Sequence, residues 1–184
     1  MIYNPNSHLL KFNPYLKGKV VLGGTVTFDS AEWVVQHVDG KYAILGLNGL
    51  GTRTIYYYDD DKETSKYVPY GQSDLKTATL AWQNANISAG ALAFCADVTV
   101  DGVTAKVFPP TETQLTSTWS WPSQGAANRI VPISVGHADY WTCSQGANDS
   151  TCVCVTCESG NIQRNIITGT AGHMRPFVKV RFKK

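Results

Sequence analysis

From Gly18 to Phe28 apolar and polar residues alternate with a period of two. At that spacing successive side chains of an extended chain fall on opposite faces. The pattern predicts a strand over Lys19-Val20-Val21-Leu22, a Gly23-Gly24 turn, and a strand over Thr25-Val26-Thr27-Phe28. A further strand runs from Trp33 to Val38, turns at Asp39-Gly40 and returns as Tyr42-Ala43-Ile44-Leu45-Gly46-Leu47. An Asp-Gly pair between two apolar runs is a strong hairpin signal. Gly51 to Gly71 is irregular and holds Tyr56-Tyr57-Tyr58 and Asp59-Asp60-Asp61. The period then lengthens. Ser73 stands where an N-cap is needed, and Leu75, Ala78, Leu80 and Trp82 mark a helix to about Asn84. A short second helix is expected over Ala89 to Phe94, and a strand over Ala105 to Phe108 that Pro109-Pro110 stops. Thr111 to Leu115 reads as the capped first turn of another short helix, and Val153 to Glu158 and Phe177 to Phe182 as closing strands. Strands first, helices in the middle and strands again define an α+β fold.

The pattern fades in the last third. Between Tyr140-Trp141-Thr142-Cys143 and the run Met174 to Phe182, short polar residues and cysteines replace large aliphatic ones. This stretch is predicted to be one long loop region held at both ends, a surface for display on a rigid frame. Aromatic side chains add contact area at low rotamer entropy. Trp33, Trp82 and Trp141 belong to the core, whereas Trp119-Ser120-Trp121-Pro122 sits in a Ser/Thr/Pro-rich stretch and is expected to be partly exposed. The candidate ligand-binding residues are therefore Trp119, Trp121, Tyr140, Ser144, Gln145, Asn148, Asp149, Ser159, Asn161, Gln163, Arg164 and Asn165.

Composition narrows the function classes. A chain of 184 residues is one domain by size, here read as an N-terminal arm over residues 1–17 and a domain over 18–184. Charged residues make up only 16% and the net charge is +2, so no concentrated basic face points to nucleic acid. Lys179, Arg181, Lys183 and Lys184 form a solvated face and tail. No stretch is long and apolar enough for a membrane span, and the first residues lack the pattern of a secretory leader. The chain is expected to be made in a cytoplasm, with its odd number of five cysteines reduced.

Those cysteines are the main candidates for chemistry. Cys152-Val153-Cys154-Val155 and Cys157, with Cys143, could offer four thiolates to zinc. Strand alternation would instead put Cys152 and Cys154 on one face and Cys157 on the other unless the strand ends first, and no glycine-containing turn separates them. Small apolar core thiols are the preferred reading, for Cys95 as well. His8, His37, His137 and His173 are scattered, although His137 and His173 flank one seam, and no Gly-x-Ser-x-Gly elbow is present. The run Asp59-Asp60-Asp61 is read as a solvated turn. Arg175-Pro176 is read as architecture, with the guanidinium anchoring the preceding segment to carbonyls or a carboxylate. No catalytic residue, metal ligand or cofactor is assigned.

Several motifs in order resemble a bacterial and phage domain family of unknown function. They are Gly24-Thr25-Val26-Thr27-Phe28 through Trp33-Val34-Val35, then Asp39-Gly40-Lys41-Tyr42, Ser73-Asp74-Leu75, Val107-Phe108-Pro109-Pro110-Thr111-Glu112, Tyr140-Trp141 and Arg175-Pro176-Phe177-Val178-Lys179-Val180. Such domains look similar to C-type-lectin-like folds, used by phage tail receptor-binding proteins and by the variable proteins of diversity-generating retroelements. The resemblance implies paired terminal strands and a presented loop surface over Ser144 to Asp149 and Ser159 to Thr168. It implies a non-enzymatic protein that binds a protein or glycan on a target cell, associated with a virion or tail and forming a homo-oligomer such as a trimer. Calcium-dependent members carry Glu-Pro-Asn and Trp-Asn-Asp triplets; the first is absent here, and Ala147-Asn148-Asp149 lacks the tryptophan. The alternatives are a relative of the formylglycine-generating oxidoreductases, to which the cysteine spacing gives no match, and a zinc-stabilised structural module.

Overall fold

A computed structural model describes residues 13–55, 68–132, 138–148, 151–167 and 171–183, with the backbone alone for Ile55, Asn165, Ile167 and Ala171. The fold is α+β, built mostly from antiparallel sheet. The first sheet contains β1 (Leu16–Lys17), β2 (Thr25–Phe28), β3 (Ala31–Asp39), β4 (Tyr42–Leu47), β6 (Cys95–Ala96), β9 (Val107–Phe108) and β14 (Phe177–Arg181), in the order β1-β2-β3-β4-β14-β6 with β9 also paired to β14. The second sheet has the order β12-β11-β10-β13-β5, formed by β5 (Arg53–Ile55), β10 (Asp139–Gln145), β11 (Thr151–Thr156), β12 (Ile162–Ile167) and β13 (Ala171–His173). All its pairings are antiparallel except β10 with β13, where Tyr140 lies beside His173. A small hairpin, β7 (Val98–Val100) and β8 (Val103–Ala105), stands apart.

Turn chemistry sets the register of the first sheet. Asp29 and Ser30, both at positive φ (47° and 72°), form the two-residue connection between β2 and β3. Gly40, at φ 57°, opens the next hairpin and brings Asp39 opposite Tyr42. The strand expected over Lys19 to Leu22 does not form. The chain turns there instead, with the Gly24 amide donating to Val21 O at 2.9 Å and Gly23 at φ 73°, and β2 occupies the edge of β3. Residues 13–17, assigned to the arm from the sequence, belong to this sheet: β1 pairs with β2, and the buried Asn13 donates through Nδ2 to Arg181 O at 3.2 Å. Residues 1–12 lie outside the described residues.

Strand alternation splits the first sheet between two cores. Trp33, Val35, Ala43, Leu45, Val178 and Val180 point to one side, against Ile87 and Ala91. Ile44 and Phe177 point to the other, against Phe108, Trp119 and the second sheet. Helix α1 (Asp74–Asn86) starts at Ser73, whose Oγ accepts from the Lys76 amide at 3.2 Å, and α2 (Ala89–Leu92) starts at Ser88 in the same way. The stripe α1 buries is Leu75 and Thr79 with a half-buried Trp82, spaced by four and three residues; Leu80, expected in that stripe, is 52% exposed. None of the helices among the described residues is long and apolar enough to cross a membrane.

The larger correction concerns the last third. The expected long loop is largely sheet: β10, β11 and β12 form an antiparallel meander and β13 returns to pair parallel with β10, while the cysteines are core, as expected. Cys143, Cys152, Cys154 and Cys157 are buried in the same cluster as Trp141, Met174 and Phe177. Buried Thr142 satisfies its hydroxyl by donating to Val153 O at 2.9 Å. Small thiols and back-bonded threonines fill this layer in place of leucine and isoleucine, so the hydrophobic pattern is muted although the layer is dry. Arg175 joins the two sheets. It is 1% exposed, donates from Nε to Leu47 O at 3.1 Å and from Nη1 to Tyr140 Oη at 3.3 Å and Arg129 O at 3.4 Å, and lies over the Tyr140 and Phe177 rings. The expected anchoring to carbonyls is what this arginine does.

Candidate functional site

Polar groups concentrate along β12, an edge strand of the second sheet. Cys152 lies opposite Ile166 and Cys154 opposite Gln163, so Arg164 and Asn165 together face Val153 in a bulge. Bulges on edge strands break the regular ladder and re-aim side chains. The exposed Arg164 reaches Glu112, its Nε donating to Oε1 at 2.7 Å and its Nη2 contacting the same oxygen. The Glu112 amide donates to Ser144 Oγ at 2.9 Å, and the Ala147 amide to Arg164 O at 2.8 Å. At the tip of the β10–β11 hairpin, Asn148 and Thr151 hold each other: Asn148 O accepts from the Thr151 amide, and Thr151 Oγ1 accepts from the Asn148 amide, both at 3.2 Å. Ser144 and Arg164 thus meet at Glu112; Gln145 follows Ser144 at the end of β10, and Asn148 stands at the hairpin tip next to Ala147, whose amide holds Arg164 O.

The local sequence explains why Glu112 stands there. Thr111 and Gln114 form a reciprocal capping box, with the Gln114 amide donating to Thr111 Oγ1 at 3.1 Å and the Thr111 amide to Gln114 Oε1 at 2.8 Å. This launches the helical segment through Gln114–Thr118, a π-helical turn that ends at Trp119. Glu112, in the first turn, projects toward β12. The sequence reading identified the cap but not the contact, because a partner 52 residues away leaves no local signal.

The other predicted residues fall elsewhere. Ser159 and Asn161 belong to the β11–β12 turn at the opposite end of the strand pair, where Gly160 has φ 66° and its carbonyl accepts from Arg129 Nε at 2.8 Å. The Asn161 amide donates to Ser159 Oγ at 3.3 Å. Gln163 lies between the two groups, its Nε2 donating to Thr156 Oγ1 at 2.6 Å. Asn165 is on the bulge, and Asp149 lies outside the described residues, as do Tyr56 to Tyr58, Tyr67, the Asp59 to Asp61 run, His8 and His137.

Two predicted aromatics are corrected. Trp119, expected to be partly exposed, is 3% exposed, packed between Phe108 and Phe177 with ring centroids 6.4 and 5.1 Å away. Tyr140 is fully buried, its hydroxyl donating to Arg129 O at 3.4 Å, so neither ring stands out from the surface as the sequence reading expected. Trp121 is half-buried against Gly23, where a Cβ would collide with its ring.

The titratable groups inside the fold favour structure over chemistry. Burial pushes the Cys157 thiol up to about 12, partly opposed by Arg175, and the Cys95 thiol up to about 12, partly opposed by Lys106. Burial raises the Cys143, Cys152 and Cys154 thiols as well. A thiol held protonated is a poor nucleophile and a poor metal ligand at neutral pH. Cys157 does not face away from Cys152 and Cys154: β11 ends at Thr156, and the turn carries Cys157 into the same core. Among the described residues no three His, Cys, Asp or Glu side chains converge as a metal-ligand set. The His173 imidazole is pushed below its usual value, first by burial and then by Arg53, and its buried Nδ1 has no hydrogen-bond partner among the described residues. No family model, no curated protein and no solved structure matches the chain.

Proposed function

We propose that the protein is a non-catalytic recognition domain of the C-type-lectin-like kind, carried on a phage or prophage tail, which binds a protein or glycan on a target cell. The observation that carries this reading is the Ser144–Gln145–Asn148–Arg164 group at the bulged edge of the second sheet. Glu112 holds Ser144 and Arg164, and backbone hydrogen bonds hold the hairpin tip at Ala147 and Asn148, so the polar atoms of these residues are ordered before a ligand arrives. Recognition by pre-oriented polar side chains on a rigid frame needs no reactive group. The buried, protonated thiols weigh against an oxidoreductase that works through a reachable cysteine. The domain is made in a cytoplasm, binds weakly per copy, and gains avidity from a homo-oligomer, with a trimer as the form we favour.

The test is retention of the fluorescently labelled full chain on a panel of bacterial strains, compared with the Gln145→Ala/Arg164→Ala double variant. At least one strain should retain the parent and lose the variant at unchanged melting temperature. Retention that is equal for both, or retention by none, overturns the reading.

A further inference from the structure

A cleft of about 320 Å³ opens where the second core ends at the rim of the first sheet. We propose that it is a second binding site, for a small, neutral, polyhydroxylated ring of monosaccharide size. It is distinct from the edge-strand group, and its failure would leave that reading intact.

The volume stands at the small end of ligand pockets, about 300–1,000 Å³. The floor is apolar, made by Ile44 (6% exposed) and the edge of Trp119. One wall comes from neighbouring strands, since Ile44 lies opposite His37 on β3 and opposite Lys179 on β14. The other walls are Asp97 and the helical segment that begins at Gln114.

His37, Gln114 and Lys179 are held by contacts of their own, and each polar group of the rim keeps capacity for a ligand. The Ser120 amide donates to His37 Nδ1 at 3.3 Å, so the neutral ring carries its proton on Nε2 and offers it as a donor. Gln114 Oε1 accepts the Thr111 amide in the capping box, which leaves the Nε2 hydrogens to donate. Lys179 Nζ lies 3.7 Å from Asp39 Oδ2 and 5.1 Å from the Tyr42 ring centroid, which compensates its charge. Asp97 forms no ion pair among the described residues and remains an acceptor.

Donors and acceptors therefore alternate around an apolar floor. A hydroxyl both donates and accepts, so a ring of hydroxyls satisfies such a rim while its C–H face covers the floor. Two carboxylates against one ammonium disfavour a phosphate or carboxylate ligand.

The experiment is a titration of the ¹⁵N-labelled full chain with glucose, galactose, mannose, N-acetylglucosamine and N-acetylgalactosamine, with inorganic phosphate and spermidine as comparison probes. At least one sugar should give saturable shifts of the Gln114 side-chain amide and the Trp119 indole signals. Asp97→Asn and Gln114→Glu should each weaken that binding at least fivefold. Gln114→Glu keeps the oxygen that caps the helix and replaces the donor by a charged acceptor, and unchanged melting temperatures verify that both variants fold. The proposal is overturned if no sugar saturates, if the variants bind as the parent does, or if spermidine or phosphate alone shifts these signals.

Discussion

The two sheets bury comparable interiors with different chemistry. The first does so with Val, Ala, Leu, Phe and Trp at alternating strand positions, interrupted on β3 by a bulge at Gln36. The second, over β10 and β11, does so with Cys, Thr and Val beside a few aromatics. Large aliphatic side chains announce a dry layer in the sequence; thiols and back-bonded hydroxyls make an equally dry one without announcing it. Polarity read along the chain and exposure in the fold are therefore separate quantities in this protein. They part company most sharply at Trp119 and Trp121, two residues apart.

Those two tryptophans provide the largest test of the contrast. Trp119→Ala removes a ring packed against Phe108 and Phe177 and should cost about 3–5 kcal/mol, as large-to-small core substitutions do. Trp121→Ala, at a half-buried ring over Gly23, should cost less than half as much. Urea unfolding of both variants checks the difference. Equal losses would mean that the two rings contribute alike and that the packing described for Trp119 does not carry the second core.

The seam of the second sheet offers a smaller, pH-dependent test. β13 joins β10 to β5, with His173 opposite Arg53. Burial lowers the His173 proton affinity in the folded chain, so the unfolded chain, near 6.5, takes up the proton first. The stability contributed by the neutral ring is complete above pH 6.5 and is lost as pH falls from there toward the lower folded value. The urea midpoint should drop more between pH 7.5 and 5.5 for the parent than for His173→Gln. Equal drops would remove this histidine from the acid response of the second sheet.

The same contrast explains what the sequence made legible. The β3–β4 hairpin, the Ser73 cap, the α+β class and the carbonyl anchoring by Arg175 all rest on local signals: an Asp-Gly turn, a capping hydroxyl, an order of elements, an Arg-Pro pair. The strand expected over Lys19 to Leu22 failed because its alternation had no free neighbour to pair with: β2 already holds that edge of β3. Of the β10–β12 meander only β11 was legible, as the strand expected over Val153 to Glu158; its neighbours were missed because short polar residues and thiols stand where large aliphatic ones would mark strands. Within the candidate site, Ser144, Gln145, Asn148 and Arg164 were legible as polar residues in one stretch, but Glu112, which holds Ser144 and Arg164, was not. A contact between residues 52 apart is written in the fold alone.

The smallest effect concerns that contact, and it separates structure from function. The Arg164–Glu112 pair is exposed on the arginine side, 55%, so it should add at most about 1 kcal/mol to stability. Arg164→Ala should therefore leave the urea midpoint almost unchanged, unlike Trp119→Ala. Salt should erase what little difference remains, because exposed pairs are screened. If Arg164 serves the proposed recognition face, the same substitution should weaken target-cell retention several-fold while stability stays level. A substantial loss of stability would instead make the bulge and its ion pair part of the frame. The second sheet would then resemble the first, with its polar edge spent on holding the fold together and none of it left to offer a partner.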